Sequence, residues 1–196
     1  MAGSAAPEAH EQGNEIKGRR RGRRENAVMK TALLVIDMQN DYLWENRKKQ
    51  FSYDTARLTA SVNELIHRHQ LVIYIRHIIQ NLPTNRFLFG YSIAGTEGAE
   101  LYGGLDIVSE YCFDKYFGDA FTNGKLRRLL REQNVDTVRL CGVDECGCVA
   151  ATALGAVKRG LNAEILSRGT ATVFPEAKVA RTCEKLRRAG VRRIDV

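Results

Sequence analysis

The sequence predicts an α/β domain: a doubly wound, mostly parallel sheet flanked by helices. Three observations carry this. Short apolar runs, above all Thr31 to Asp37, lack the polar alternation of a half-exposed strand, so they read as strands covered on both faces. Segments with helical apolar spacing separate those runs, which is the pattern of βαβ units. The first run ends in an acid, Asp37, and a later one ends in Gly142 ahead of a pair of cysteines. Open α/β sheets bind ligands outside the carboxyl ends of their strands, where such residues belong.

Taken in order, residues 1–28 hold Gly, Ala, Ser, Glu and Arg with almost no large apolar group, which predicts a disordered basic tail. The folded domain is expected over 29–196. After the first strand, Tyr42 to Tyr53 reads as irregular, with Trp44 and Phe51 as wall or anchor residues. Asp54 is a candidate N-cap for a helix reaching about His69, with Leu58, Val62, Leu65 and Ile66 as its apolar stripe. Leu71 to Ile78 is the second strand. Asn81 to Leu105 reads as a long loop with Pro83 and several glycines, a length that usually signals function. Ile107 to Phe113 is expected as a strand, Asp114 to Phe121 as a loop, and Thr122 to Gln133 as a helix with Leu126, Leu129 and Leu130 inward. A strand from Thr137 ends at Gly142, and a helix opening near Cys148 runs to about Gly160. Ala163 to Leu166 is another strand. Pro175 and Glu176 open the last helix, which stops at Ala189 and Gly190 before a final strand, Arg193 to Val196.

The chain has 196 residues, 44% apolar and 27% charged, ordinary values for one globular domain with a tail. No apolar run approaches the roughly 20 residues of a membrane helix, so no membrane partner is expected. The odd count of five cysteines and the lack of an apolar leader favour a reducing, cytoplasmic setting. Much of the net charge of +7 is local to Lys17, Arg19, Arg20, Arg21, Arg23 and Arg24. That block reads as a solvated tail, and nucleic acid is kept only as an alternative partner for it.

Position alone singles out three side chains. Cys148 falls at the first turn of a helix that follows a strand, where unpaired N–H groups carry partial positive charge. A thiol there is expected to ionise more easily than a free cysteine. Asp37 ends the first strand, and Lys115 is expected in a loop before a helix. In a doubly wound sheet all three can share one edge, and a base, a cation and a thiol suit nucleophilic catalysis. Taken singly, each also has an ordinary structural role: a hydrogen-bonded cap, a surface lysine, a packed cysteine.

The stretch Val35 to Tyr42 (Val-Ile-Asp-Met-Gln-Asn-Asp-Tyr) resembles the opening motif of the isochorismatase-like cysteine hydrolases, a family that includes the nicotinamidases. Gly95 to Leu101 resembles that family's Gly-Thr motif, and Lys115 to Phe121 its Lys-x-x-x-Ser-Ala-Phe segment, with Asp119 where serine is common. Gly142 to Val149, continuing through Ala151, Thr152, Ala153 and Ala156 to Gly160, is similar to its nucleophile motif. The resemblance spans about Lys30 to the C-terminus. It implies the isochorismatase-like hydrolase fold and a catalytic triad of Asp37, Lys115 and Cys148. It also implies a cis peptide at Val143–Asp144, aiming the Asp144 and Cys148 N–H groups at an oxyanion. Departures are Asp144 in place of a small residue, Cys146 in place of a polar one, and Gly147 in place of a larger one.

The resemblance implies cleavage of a C–N bond in a small amide, lactam or ureido substrate through an acyl-enzyme, with no cofactor and with a homo-oligomeric assembly. Gln39, Tyr42, His77, Phe117 and Phe121 are candidate substrate contacts. The metal of the family's nicotinamidases is not expected, because Tyr74 to Asn81 offers one histidine and no acid. Cys146 and Cys148 do not have the spacing of a metal or redox pair. Two other readings stay open: vinyl-ether hydrolysis of an isochorismate-type acid, and a non-catalytic member that binds a small ligand or a partner.

Overall fold

The computed structural model describes residues 30–196, together with residues 1 and 3. The tail expected over residues 1–28 therefore lies, but for those two, outside the described residues.

Six strands form one sheet in the order β3-β2-β1-β4-β5-β6. They are β1 (Thr31–Ile36), β2 (Val72–His77), β3 (Cys112–Lys115), β4 (Thr137–Gly142), β5 (Asn162–Thr170) and β6 (Arg192–Ile194), and every neighbouring pair is parallel. The helices are α1 (Asn40–Leu43), α2 (Thr55–His67), α3 (Pro83–Leu88), α4 (Gly124–Glu132), α5 (Ala150–Val157) and α6 (Glu176–Arg188). Two apolar cores result, one on each face. Leu34, Ile36 and Leu140 pack on one side with Phe121, Leu126 and Ala153, while Leu33, Val35 and Cys141 pack on the other with Val62, Ile66 and Tyr74. This is why β1 reads as an unbroken apolar run: its alternate side chains are buried on both faces.

Local chemistry sets the boundaries. Asp54 caps α2 by accepting from the Arg57 N–H at 3.1 Å, and Asn123 caps α4 by accepting from Lys125 and Leu126. Gly142 has φ 105°, and a Cβ there would lie 2.0 Å from the Ile36 carbonyl oxygen, so only glycine allows β4 to exit beside β1.

The third strand corrects the expectation for Ile107 to Phe113. Ile107 and Val108 are exposed, and the segment before Cys112 is held by Tyr74, whose hydroxyl donates to the Asp106 carbonyl and accepts from the Val108 N–H. Pairing with β2 begins at Tyr74 beside Cys112 and ends at His77 beside Lys115. Lys115 is thus the last residue of an edge strand, not part of a loop. The long connection after β2 contains α3, and β5 runs four residues beyond Leu166. Among the described residues no helix is long and apolar enough to cross a membrane.

Candidate active site

The ends of β1, β3 and β4 bring Asp37, Lys115 and Cys148 together, with β2 lying between β3 and β1. Asp37 follows β1 directly, with φ 53°, a left-handed conformation that aspartate tolerates better than most residues. Lys115 ends β3 with 1% of its surface exposed. Cys148 lies on a single wide turn, Glu145–Val149, between β4 and α5. The Lys115 Nζ donates to Asp37 Oδ2 at 2.8 Å and to Cys148 Sγ at 3.1 Å. The other carboxylate oxygen, Asp37 Oδ1, is buried without a hydrogen-bond partner.

Burial pushes the Cys148 thiol up to about 12, and the Asp37 carboxylate adds to the rise; Lys115 offsets only part of it. This reverses the expectation of an easily ionised thiol. The helix-end argument counts dipoles but omits the loss of water and a carboxylate sharing the same cation. Burial works against the Lys115 ammonium, but Asp37 and Cys148 outweigh it and hold its proton more firmly than usual. The resting trio is therefore carboxylate, ammonium and thiol.

The Val143–Asp144 peptide is cis. Among the described residues neither the Asp144 N–H nor the Cys148 N–H donates to a neighbouring element. The Asp144 side chain ties the turn down. Its Oδ1 accepts from the Cys146 N–H (2.8 Å) and the Thr172 hydroxyl (2.7 Å), and its Oδ2 accepts from the Val173 N–H (2.9 Å) and the Tyr53 hydroxyl (3.2 Å). One carboxylate thus anchors the nucleophile's turn to the segment leaving β5.

A cavity of about 210 Å³ opens onto Cys148 and Asp37. Tyr42 and His77 line it, with Phe51, Tyr53, Tyr91 and Phe174 completing an aromatic wall. The sequence singles out Phe51 only as a wall or anchor residue and offers no signal for Tyr53, Tyr91 or Phe174, which lie on loops without periodicity. A larger open groove of about 1310 Å³ runs along β3 and α4, but neither Cys148 nor Asp37 lines it.

Two expected substrate contacts, Gln39 and Phe121, are corrected, and a third, Phe117, lines an adjoining opening with His77 and Tyr91. Gln39 is fully buried, and its amide is spent: Nε2 donates to the His77 carbonyl (3.0 Å) and the Ala99 carbonyl (2.7 Å), and Oε1 accepts from the His77 N–H (2.8 Å). It clamps β2 and the Gly-Thr loop to the end of β1. Phe121 is packed in the core against α5, because Asp119 caps the turn that carries it by accepting from the Phe121 N–H. Phe117 is 69% exposed and outside this cavity.

His77 is pulled below the usual histidine range by burial first and by the Lys115 charge second. Its Nδ1 meets the Tyr42 hydroxyl at 3.1 Å. Next to it, the Asn81 side chain is tied to the Ala94 carbonyl and to Arg86. Among the described residues no three His, Cys, Asp or Glu side chains converge as a metal would need. The donor set here does not fit the metal of the nicotinamidases.

A profile of the isochorismatase domain matches residues 31–196. A protein of Arabidopsis thaliana named "Probable inactive nicotinamidase" is 32% identical over 166 residues, covering 76% of this chain and 85% of that one. The solved nicotinamidase/pyrazinamidase of Bacillus subtilis superposes with a TM-score of 0.73 at 25% identity, covering 85% of this chain and all of the other. The N-carbamoylsarcosine amidase of Thermoplasma acidophilum shares the fold, with a TM-score of 0.70 at 23% identity over 85% of this chain and 96% of its own.

Proposed function

The chain belongs to the isochorismatase family, and from that premise we propose that it is a hydrolase cleaving a C–N bond of a small amide, lactam or ureido compound through an acyl-enzyme on Cys148. The observation that carries this is the single ammonium of Lys115 bridging Asp37 and Cys148 beside an aromatic-walled cavity.

Each group has a task. As Cys148 Sγ attacks the substrate carbonyl carbon, its proton passes to Asp37, whose Oδ1 has no other partner. The developing oxyanion is met by the Asp144 and Cys148 N–H groups, neither of which donates to another element among the described residues. The C–N bond breaks, and Asp37 returns the proton to the leaving nitrogen. Water then adds to the thioester, releasing the acid and restoring the thiol. Lys115 keeps the site's charge balanced while the proton moves. We also propose that the protein works as a homo-oligomer in the cytoplasm; α3 offers apolar surface for contacts between copies, with Phe87 89% exposed and Leu88 69% exposed.

The test is hydroxylamine trapping during turnover of a panel of neutral amides, lactams and ureides. An acyl-enzyme partitions to a hydroxamate, and Cys148→Ala should lose at least about 100-fold in rate, the scale expected when a nucleophile is removed. Turnover without hydroxamate, or turnover that survives Cys148→Ala, overturns the reading. Survival with an isochorismate-type vinyl ether as substrate would favour that chemistry. The Arabidopsis relative's inactive label gives a ligand-binding role its specific support, and binding without any turnover would establish it.

A further inference from the structure

We propose that a hydrogen-bond chain from Ser92 through Tyr42 fixes His77 as an uncharged ring with its proton on Nε2, and that this N–H receives an acceptor atom of the substrate. The site then takes neutral amides that carry a second acceptor and rejects anionic ones. This rests on the proposed amide hydrolysis and names its substrate class.

Counting protons leads there. Ser92 is fully buried, and its hydroxyl has one partner, the Tyr42 hydroxyl at 2.9 Å. Tyr42 in turn reaches His77 Nδ1 at 3.1 Å. If Tyr42 donated to Ser92, the serine's own proton would be buried without an acceptor, which is costly. If Ser92 donates to Tyr42, the tyrosine proton goes to Nδ1 and every buried proton is used. Nδ1 is then an acceptor, and the neutral ring carries its hydrogen on Nε2. Tyr42 cannot supply a charge instead, since burial and Asp37 hold its phenol protonated.

The chain is built in, not incidental. The Ser92 N–H donates to Asp41 Oδ2 at 2.7 Å, and its carbonyl accepts from the Ile79 N–H at 2.8 Å. The serine is thus pinned to the residue before Tyr42 and to the segment leaving β2. His77 Nε2 has no partner among the described residues, while His77 lines the cavity. Two other polar groups there are committed. Tyr53 donates to Asp144, and the Asp144 carboxylate holds four donors. Among the described residues no Lys or Arg lines the cavity, the nearby Lys115 ammonium is spent on Asp37 and Cys148, and Asp144 adds a carboxylate, so a substrate carboxylate would find no free counter-charge. Away from the N–H groups assigned to the oxyanion, the wall offers a ligand aromatic surface and two neutral donors, the His77 N–H and the Tyr91 hydroxyl.

The test reads the proton directly. In the ¹⁵N-labelled full-length chain, two-bond ¹H–¹⁵N spectra at neutral pH, with His77 assigned against His77→Gln, should show an unprotonated Nδ1 and a protonated Nε2. A proton on Nδ1, or on both nitrogens, overturns the proposal. Tyr42→Phe should mix the two tautomers; an unchanged spectrum overturns the chain. In Cys148→Ala, the best of the three pyridinecarboxamide isomers should bind about tenfold tighter than benzamide, the worth of one neutral hydrogen bond, and should shift Nε2. His77→Phe should erase that difference, and His77→Gln, which keeps a donor, should retain part of it. Equal binding of benzamide and every isomer, or tighter binding of N-carbamoylglycine, overturns the proposal. None of these readouts needs turnover, so they fail separately from the hydroxamate test.

Discussion

Asp37 holds Lys115 with one oxygen and leaves the other free, while a neutral thiol waits on the far side of the same ammonium. This arrangement makes the reactivity of Cys148 respond oppositely to two assays. Asp37→Asn removes the charge that helps keep the thiol protonated and leaves Lys115 to serve the sulfur alone. Alkylation of Cys148 by iodoacetamide at neutral pH is expected to quicken, while amide turnover falls by about 100- to 10,000-fold as the proton acceptor disappears. Slower alkylation in Asp37→Asn would contradict the charge assignment. The three polar residues of the site are legible in the sequence because they sit in contiguous motifs at strand ends. The pocket wall is not. Tyr53, Tyr91 and Phe174 come from three separate loops, whereas Phe121, inside a motif, is conscripted by the core.

At the scale of elements, the ends of β1 and β2 are held in register past their last ladder bonds by one side chain, Gln39. Replacing it with leucine of similar size leaves one buried N–H and two carbonyls without partners. Each such loss costs about 1–3 kcal/mol, so Gln39→Leu is expected to destabilise the fold by about 3–5 kcal/mol in urea unfolding. A change below about 1 kcal/mol would mean that the loop closes without the clamp. The central strands and the helices between them are readable as apolar runs and 3.6-residue spacing. The edges are less so: the apolar residues Ile107 and Val108 suggest a strand where Tyr74 instead holds a turn, and β5 continues through Ser167, Arg168 and Gly169, which carry no strand-like pattern. Pairing decides those boundaries, and pairing is not local.

For the whole molecule, two imidazoles bear on acid stability. His69 and His77 both lie below the ordinary histidine range, chiefly through burial, with Arg139 pushing on the first and Lys115 on the second. A histidine depressed in the folded state binds fewer protons there than in the unfolded chain. Stability is therefore full above the unfolded value near 6.5 and declines as pH falls toward the folded values. The melting temperature is expected to drop on acidification from about pH 7.5, and His69→Gln or His77→Gln should flatten that slope. An unchanged slope in both variants would place the acid sensitivity elsewhere. The trio at the end of β1 behaves differently. One cation, one carboxylate and one thiol sum to zero, and they still sum to zero once the proton has crossed from sulfur to oxygen. The interior is never asked to hold a new net charge, so bulk ions have nothing to screen at that step, and an uncharged substrate should meet the same barrier in dilute buffer as in concentrated salt.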